Sequence, residues 1–354
     1  MSAPTVYDVA ERSGVSIATV SRVYRTPDSV RAQTRERVLE AARQLGYVPS
    51  GNARGLASRT TGVLGLCFPD YSDPDTENEA AATDEDDDHA FMLYSDQVIR
   101  GMERAARRHG YALLIAASAS LKGGPESLLA NVAGRVDGFA VLAGTVPTAD
   151  LEVISRRLPV VMVAGRRGID HLDHIVVANT DGQRTVTRHL IEDHGLSRLA
   201  FIGGEAASPD AEARFTGFRE ACRDAGLPVP DAPAAHVTMM TQAEGFRVTD
   251  ALLDRGGEPP QAMLFANDQM AVGGLHALER RGIDVPRDIA VTGFDGIPLS
   301  RLVRPPLTTV RQPMRRLGEE AVELLVRRLA DRDRDPVTLM LPVSLARRAS
   351  CGCG

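Results

Sequence analysis

The chain has 354 residues, of which 43% are hydrophobic and 25% charged, with four cysteines, no tryptophan and a net charge of −6. That length is too great for one ordinary core and suits a small domain joined to a larger bilobed one. The composition excludes a disordered or fibrous chain. The opening stretch MSAPTVYDVAERSG holds no apolar run long enough for a signal peptide or membrane span, so a cytoplasmic protein is expected. Charge is unevenly placed: residues 1–60 hold nine arginines and five acids, a net of +4, and the remainder carries −10. Ten acids within residues 70–88, uninterrupted by Lys or Arg, account for that deficit. The basic end is therefore the end suited to nucleic acid.

Residues 5–23 run TVYDVAERSGVSIATVSRV. Apolar Val6, Val9 and Ala10 precede a Ser13-Gly14 break, and Val15, Val20 and Val23 follow it, which predicts helix, turn, helix. Ala10 is small where two helices cross, Gly14 can take the positive φ of the turn, and Ser16 can cap the second helix. Outside the valine stripe lie Ile17, Ala18, Ser21, Arg22 and Arg25, the side chains free to enter a major groove. Arg22 can pair bidentately with guanine, Ile17 and Ala18 suit thymine methyls, and the hydroxyls of Ser16, Thr19 and Ser21 suit phosphate oxygens. Thr5 and Tyr7, at the start of the first helix, join this set of expected DNA contacts. A third amphipathic helix over 31–45 closes a three-helix, all-α domain and stops at Gly46-Tyr47-Val48-Pro49. Two amphipathic helices around a glycine turn also arise without any DNA role, so the motif alone does not decide the matter.

The next stretch, SGNARGLASRTTGVLG, contains Gly51 and Gly55, each costing about 0.8–1 kcal/mol against alanine in a helix, so it is no stable helix by itself. The series TVYDVA, VSIATVSRV, YVPSGNARGLAS and a following strand resembles the LacI/GalR (lactose-repressor) family, and the resemblance runs the length of the chain. It implies a hinge segment that becomes helical on DNA beside its dimer mate, with Asn52 and Ala53 at the DNA and Leu56 wedged into the minor groove. Ser50 stands where the family usually has asparagine.

Beyond residue 61 apolar strands alternate with amphipathic helices: strands at 63–68, 112–117, 138–142 and 160–163 with a helix at 97–109. After about residue 176 the plan repeats, with helices at 182–194, 213–225 and 270–280 and strands at 199–202, 262–266 and 289–293. Such alternation means parallel sheets wrapped by helices, here in two lobes. The resemblance implies a periplasmic-binding-protein-like α/β sensor with its effector between the lobes. Ligands in such sheets lie beyond the carboxyl ends of the strands. FANDQMA puts Asn267 there and VTGFDGIP puts Asp295 there; AEARFTGF aligns Arg214 with the family's ligand arginine. Met240 falls where relatives place an aromatic wall, Gln312 can reach the cleft, and Arg166 in VVMVAGRRG is a further candidate. The plainer reading of Asn267 is a helix cap, and of Arg214 a salt-bridge partner.

The expected organisation is thus residues 1–48 as the helix-turn-helix domain, 49–60 as hinge and linker, and 61–350 as effector-binding and dimerisation domain. Residues 71–90 form a solvated acidic insertion within it, and 351–354 a flexible tail. A strand over 337–345 ends the sensor, and no heptad extension follows, so a homodimer rather than a tetramer is expected. Cys351 and Cys353 are two thiols, and two thiols do not complete a four-ligand zinc site, so neither metal nor cofactor is expected. The whole reads as a sequence-specific, effector-controlled regulator binding a pseudo-palindromic operator. A sugar is the effector implied by the resemblance and a nucleobase or nucleoside the alternative. A sugar-transport protein shares the sensor fold but not the helix-turn-helix. An enzyme is disfavoured because no phosphate loop, nucleophile elbow or metal-ligand set is visible.

Overall fold

A computed structural model describes residues 4–48, 60–68, 93–117, 132–165, 169–206 and 208–354. The expected hinge contacts Asn52, Ala53 and Leu56, the acidic insertion, Arg166 and the side chain of Arg25 lie outside the described residues. Two units separate, one up to Gly62 and the other from Val63 to Gly354.

The first unit is three helices: α1 (Val6–Ser13), α2 (Ile17–Arg25) and α3 (Ala32–Leu45). Gly14 ends α1 at φ +64°, where its N–H returns to the carbonyls of Ala10 and Glu11. Ser16 then caps α2, its hydroxyl accepting the Thr19 N–H at 3.2 Å. Val9, Ala10, Val20, Val23, Val38, Ala41 and Ala42 are buried together, with Val15 at their margin. The predicted spacing of apolar residues is what brings these three helices around one core.

The second unit has two lobes. The first is a six-stranded parallel sheet ordered β10-β5-β4-β3-β1-β2, from β1 (Val63–Phe68), β2 (Ala112–Ala117), β3 (Gly138–Leu142), β4 (Val160–Val163), β5 (Asp173–Val177) and β10 (Thr338–Leu341). Helices α4 (Leu93–Arg108), α5 (Thr148–Ser155) and α10 (Met314–Ala330) cover it. β3 is buried at every position, as a central parallel strand covered on both faces must be. The second lobe is a five-stranded sheet ordered β11-β9-β8-β7-β6, from β6 (Leu199–Ile202), β7 (Ala262–Phe265), β8 (Ala290–Asp295), β9 (Thr308–Arg311) and β11 (Ser344–Ala346). Only β11 runs antiparallel to its neighbour. Its helices are α6 (Asn179–Glu192), α7 (Pro209–Asp224), α8 (Gln242–Asp254) and α9 (Asp268–Arg280), around a core containing Phe201, Phe218, Phe265 and Phe294.

Among the described residues the chain crosses between lobes three times: after β5 at Ala178, after β9 at Gln312-Pro313, and between β10 and β11 at Pro342-Val343. The third crossing corrects the expected single strand over 337–345. Pro342 interrupts it, since proline has no N–H for a ladder, and the two halves join different sheets. The expected flexible tail is also corrected. Ala349–Cys351 form a turn of 3₁₀ helix, Ser350 and Cys351 are buried, and the Ser350 hydroxyl donates to the Val291 carbonyl at 2.6 Å while accepting the Thr308 N–H at 2.7 Å.

Candidate nucleic-acid interface and ligand cleft

With Val20 and Val23 packed inward, the other side of α2 faces solvent. Ile17 is 41% exposed, Ala18 and Arg22 are exposed, and Ser21 is half-buried. The Arg22 side chain has no hydrogen-bond or ion-pair partner among the described residues. The Ser16 and Thr19 hydroxyls bond each other at 2.9 Å, which uses one of their two hydrogens and leaves one for an outside acceptor. Tyr7 is 67% exposed. Thr5 is less free: its N–H and its hydroxyl both donate to Asp8 at 2.7 Å, and these bonds hold the Asp8 carboxyl below its ordinary pKa. The structure thus presents one small apolar and basic face, flanked by hydroxyls, at the N-terminal half of α2. That chemistry suits a major groove, which admits a helix and offers guanine acceptors to an arginine.

In the second unit the candidate ligand residues converge where the sequence places them, at the carboxyl edge of the second sheet. Gly203-Gly204-Glu205 follow β6, Asn267 follows β7, Asp295 ends β8 and Gln312 follows β9. Arg214 reaches them from α7 and is 4% exposed. Its guanidinium lies 3.9 Å above the ring of Phe294, donates from Nε to Asn179 at 2.9 Å and from Nη1 to the Ala266 carbonyl at 2.5 Å, and stands 3.5 Å from Asp295 Oδ1. Gln312 donates to the same Asp295 oxygen at 2.6 Å, and its N–H reaches the Asp295 carbonyl at 2.9 Å. Asp295 is held at φ +121°, a strained conformation for a residue with a Cβ. Burial pushes its carboxyl up to about 6, against the opposing pull of Arg214 and Gln312. Asp268 is fully buried and accepts the N–H groups of Gly296 and Ile297 at 2.8 and 2.9 Å and the Thr309 hydroxyl at 2.5 Å. It clamps the strained loop, and burial together with the charge of Asp295 raises its pKa.

The expected ligand set divides. Arg214, Asp295 and Gln312 form one network. Asn267 spends both ends of its amide internally, its oxygen capping α9 through the Met270 N–H and its nitrogen donating to the Met240 carbonyl, each at 2.9 Å. It therefore caps α9, the plainer of its two readings, while its second amide hydrogen has no partner among the described residues. Met240 turns its side chain against the core beside Gly204. Three residues join the site that motif reading passed over. Asn179, at the first crossing, donates to Asp210 at 3.0 Å, and Asp210 also accepts the Gly165 N–H of the opposite lobe at 3.2 Å. Asp210 is therefore a tie between lobes. Glu205 is half-buried with no side-chain partner among the described residues, and burial raises its carboxyl pKa. The GGE after strand LAFI was the only signal for it. A cavity of about 410 Å³ opens beside this network, lined among others by Gly165, Asn179, Asp181, Asp210, Glu212 and Met340. Arg214, Asp295 and Gln312 do not line it; Arg214 reaches it through its bond to Asn179, which does.

A helix-turn-helix with an open recognition face, in one chain with a two-lobed α/β unit carrying a polar network at its sheet edge, defines a ligand-controlled DNA-binding transcriptional regulator. Residues 5–50 match the description "Bacterial regulatory proteins, lacI family", and residues 187–351 match "Periplasmic binding protein-like domain". Catabolite control protein A of Priestia megaterium is 32% identical over 349 residues, 98% of each chain. Among solved structures, a Lac repressor dimer bound to operator and the anti-inducer ONPF is similar at 27% identity and a TM-score of 0.80, over 99% of both chains. A complex of the transcriptional regulator CelR with cellobiose is similar at 29% identity and a TM-score of 0.71, over 98% of this chain and 99% of that one. The chain belongs to the lacI family of bacterial regulatory proteins.

Proposed function

We propose that this regulator is a cytoplasmic repressor that binds a pseudo-palindromic operator as a homodimer and changes its affinity when a sugar enters the cleft between the lobes. The carrying observation is the Arg214–Asp295–Gln312 network. It joins the wall of the cleft to the second crossing segment, so a ligand that moves Asp295 or Gln312 acts directly on the link between lobes. Sugar hydroxyls suit what the cleft offers: the side chains of Asn179, Asp181, Asp210 and Glu212 line the cavity, and carboxylates form charge-assisted bonds to hydroxyls, with the half-buried Glu205 at the same sheet edge. The similar CelR structure holds cellobiose and the similar Lac repressor structure is a dimer on operator DNA. Ile17, Ala18 and Arg22 would choose the base sequence. Ser16, Thr19, Ser21 and Tyr7 would fix register on the phosphates. Among the described residues no helix is long and apolar enough to cross a membrane.

The test is a fluorescence-anisotropy titration of full-length protein on its operator against a panel of sugars, sugar phosphates and purines. A sugar that changes operator affinity in wild type and leaves Glu205→Gln unmoved supports the reading. A response to purines alone would replace the sugar with a nucleobase.

A further inference from the structure

At the end of the second lobe away from the cleft, two histidines from α6 and its exit meet the two cysteines that follow β11. His189 lies on the last turn of α6 and is buried, as is Cys351; His194 and Cys353 are half-buried. One ligand atom from each lies within 4.8 Å of the others. The two Nε2 atoms are 3.2 Å apart, His189 Nε2 is 3.4 Å from Cys351 Sγ, and Cys353 Sγ is 3.5 Å from both nitrogens. A tetrahedron built on Zn–N of about 2.0–2.1 Å and Zn–S of about 2.3 Å has N–N edges of about 3.3 Å and N–S edges of about 3.5 Å.

We propose that His189, His194, Cys351 and Cys353 hold a structural zinc ion. Two thiolates and two imidazoles in a tetrahedral arrangement select zinc over the hard, octahedral cations. All four ligands come from the protein, so no position is open for chemistry. The surroundings orient the ligands as a metal site requires. Asp193 sits 2.7 Å from His189 Nδ1, and by taking that N–H it leaves Nε2 as a lone pair aimed at the cluster. The Thr308 hydroxyl lies 3.1 Å from Cys351 Sγ and 2.8 Å from the Arg348 carbonyl, so its one hydrogen can turn to the sulfur once that is a thiolate. Gly352 at φ +97° turns the chain so that both thiols face the same point. The bonds of Ser350 to Val291 and Thr308 already fix this turn, so half the site is built before any ion arrives. The half-exposed His194 and Cys353 supply the way in. On binding, each thiol loses its proton to water and the ion takes the freed sulfur lone pair; nothing is oxidised or reduced. The ion ties the exit of α6, the helix that begins at the first crossing, to the segment that follows the third.

The experiment uses the full-length chain without an affinity tag, stripped with a chelator under reducing conditions and titrated with Co(II). One equivalent per chain should give the intense visible bands of a four-coordinate ion with a near-ultraviolet thiolate band, and zinc should displace it. Cys353→Ser and His194→Gln should each lose that spectrum, while unfolding at the temperature of metal-free wild type, which separates lost ligation from lost folding. Asp193→Asn should keep the spectrum and weaken binding about 10–100-fold. Zinc should raise the melting temperature of wild type and leave both ligand variants unchanged. A pale octahedral spectrum, binding that survives in both ligand variants, or a Cys351–Cys353 disulfide in protein kept reduced would overturn the site.

Discussion

Arg22 and Arg214 are both arginines on helices, and their surroundings assign them opposite work. The Arg22 side chain is exposed and without a partner among the described residues, so its interaction energy is available to DNA. Arg22→Ala should cost about 1–3 kcal/mol in operator binding and relax preference at one base pair per half-site, measured by anisotropy on a set of single-base operator variants. Equal loss on all sequences would make it a phosphate contact. Arg214 is already committed to Asn179, Ala266 and Asp295. Arg214→Ala should therefore destabilise the sensor by about 3–5 kcal/mol by leaving the Asp295 charge buried and unpaired, in addition to any effect on effector response. Glu205→Gln is the cleaner probe of the cleft, because that side chain supports nothing else among the described residues. Asp295 also carries a pH signature. Its folded pKa is raised from 3.8 to about 6, so its contribution to stability is full below 3.8 and is lost as pH rises through about 6. The loss is on the order of 2–3 kcal/mol. Melting temperatures from pH 4 to 7 should show this decline in wild type and a flatter curve in Asp295→Asn. The three residues Arg214, Asp295 and Gln312, which form one network, were legible because each sits at a fixed offset from a strand or helix start. Motif reading missed Glu205 and Asn179 because their meaning comes from burial and from the opposite lobe, neither of which is local.

At the scale of elements, strands were the most legible features, because short apolar runs bounded by turns mark both ends: those expected at 63–68, 112–117, 138–142, 160–163 and 199–202 form with those bounds, while the helices expected from 97, 182, 213 and 270 begin two to four residues earlier. Ser16 caps α2 as expected, and Ser16→Ala should cost about 1 kcal/mol in the stability of the helix-turn-helix unit, read by its thermal unfolding. The same logic identified Asn267, whose side-chain oxygen caps α9. Strand 337–345 was misread because an apolar run is blind to which sheet it joins, and only Pro342 hinted at the break. Helix packing was less legible still. α8 and α9 approach so closely that a Cβ on Gly273 would lie 1.9 Å from the Gln242 carbonyl oxygen, and one on Gly245 2.1 Å from that of Met270. Gly273→Ala should therefore destabilise by about 1–3 kcal/mol through overpacking. On propensity alone the same change would stabilise by about 1 kcal/mol, so the sign of the shift in a denaturant titration tests the packing directly.

Across the whole molecule, the lobes are joined among the described residues by three short crossings, and two of them carry residues of the polar network: Asn179 follows Ala178, and Gln312 begins the second crossing. The Asp210–Gly165 bond adds a direct tie between lobes beside the same cavity. In the proposed function, a small molecule bound there would alter how the lobes meet, and a coupling of about 1–3 kcal/mol to operator binding is the size expected. The two-lobe plan was legible because the strand–helix alternation repeats. The packed tail was not, because nothing in Cys351-Gly-Cys353 announces that His189 and His194 lie beside it. The account rests on the linkage between cleft and DNA. Its most direct test is operator affinity of the full-length protein with and without the sugar that raises its melting temperature. The account predicts a change of about 5- to 150-fold, absent in Glu205→Gln. Equal operator affinity with and without a sugar that demonstrably binds would contradict it.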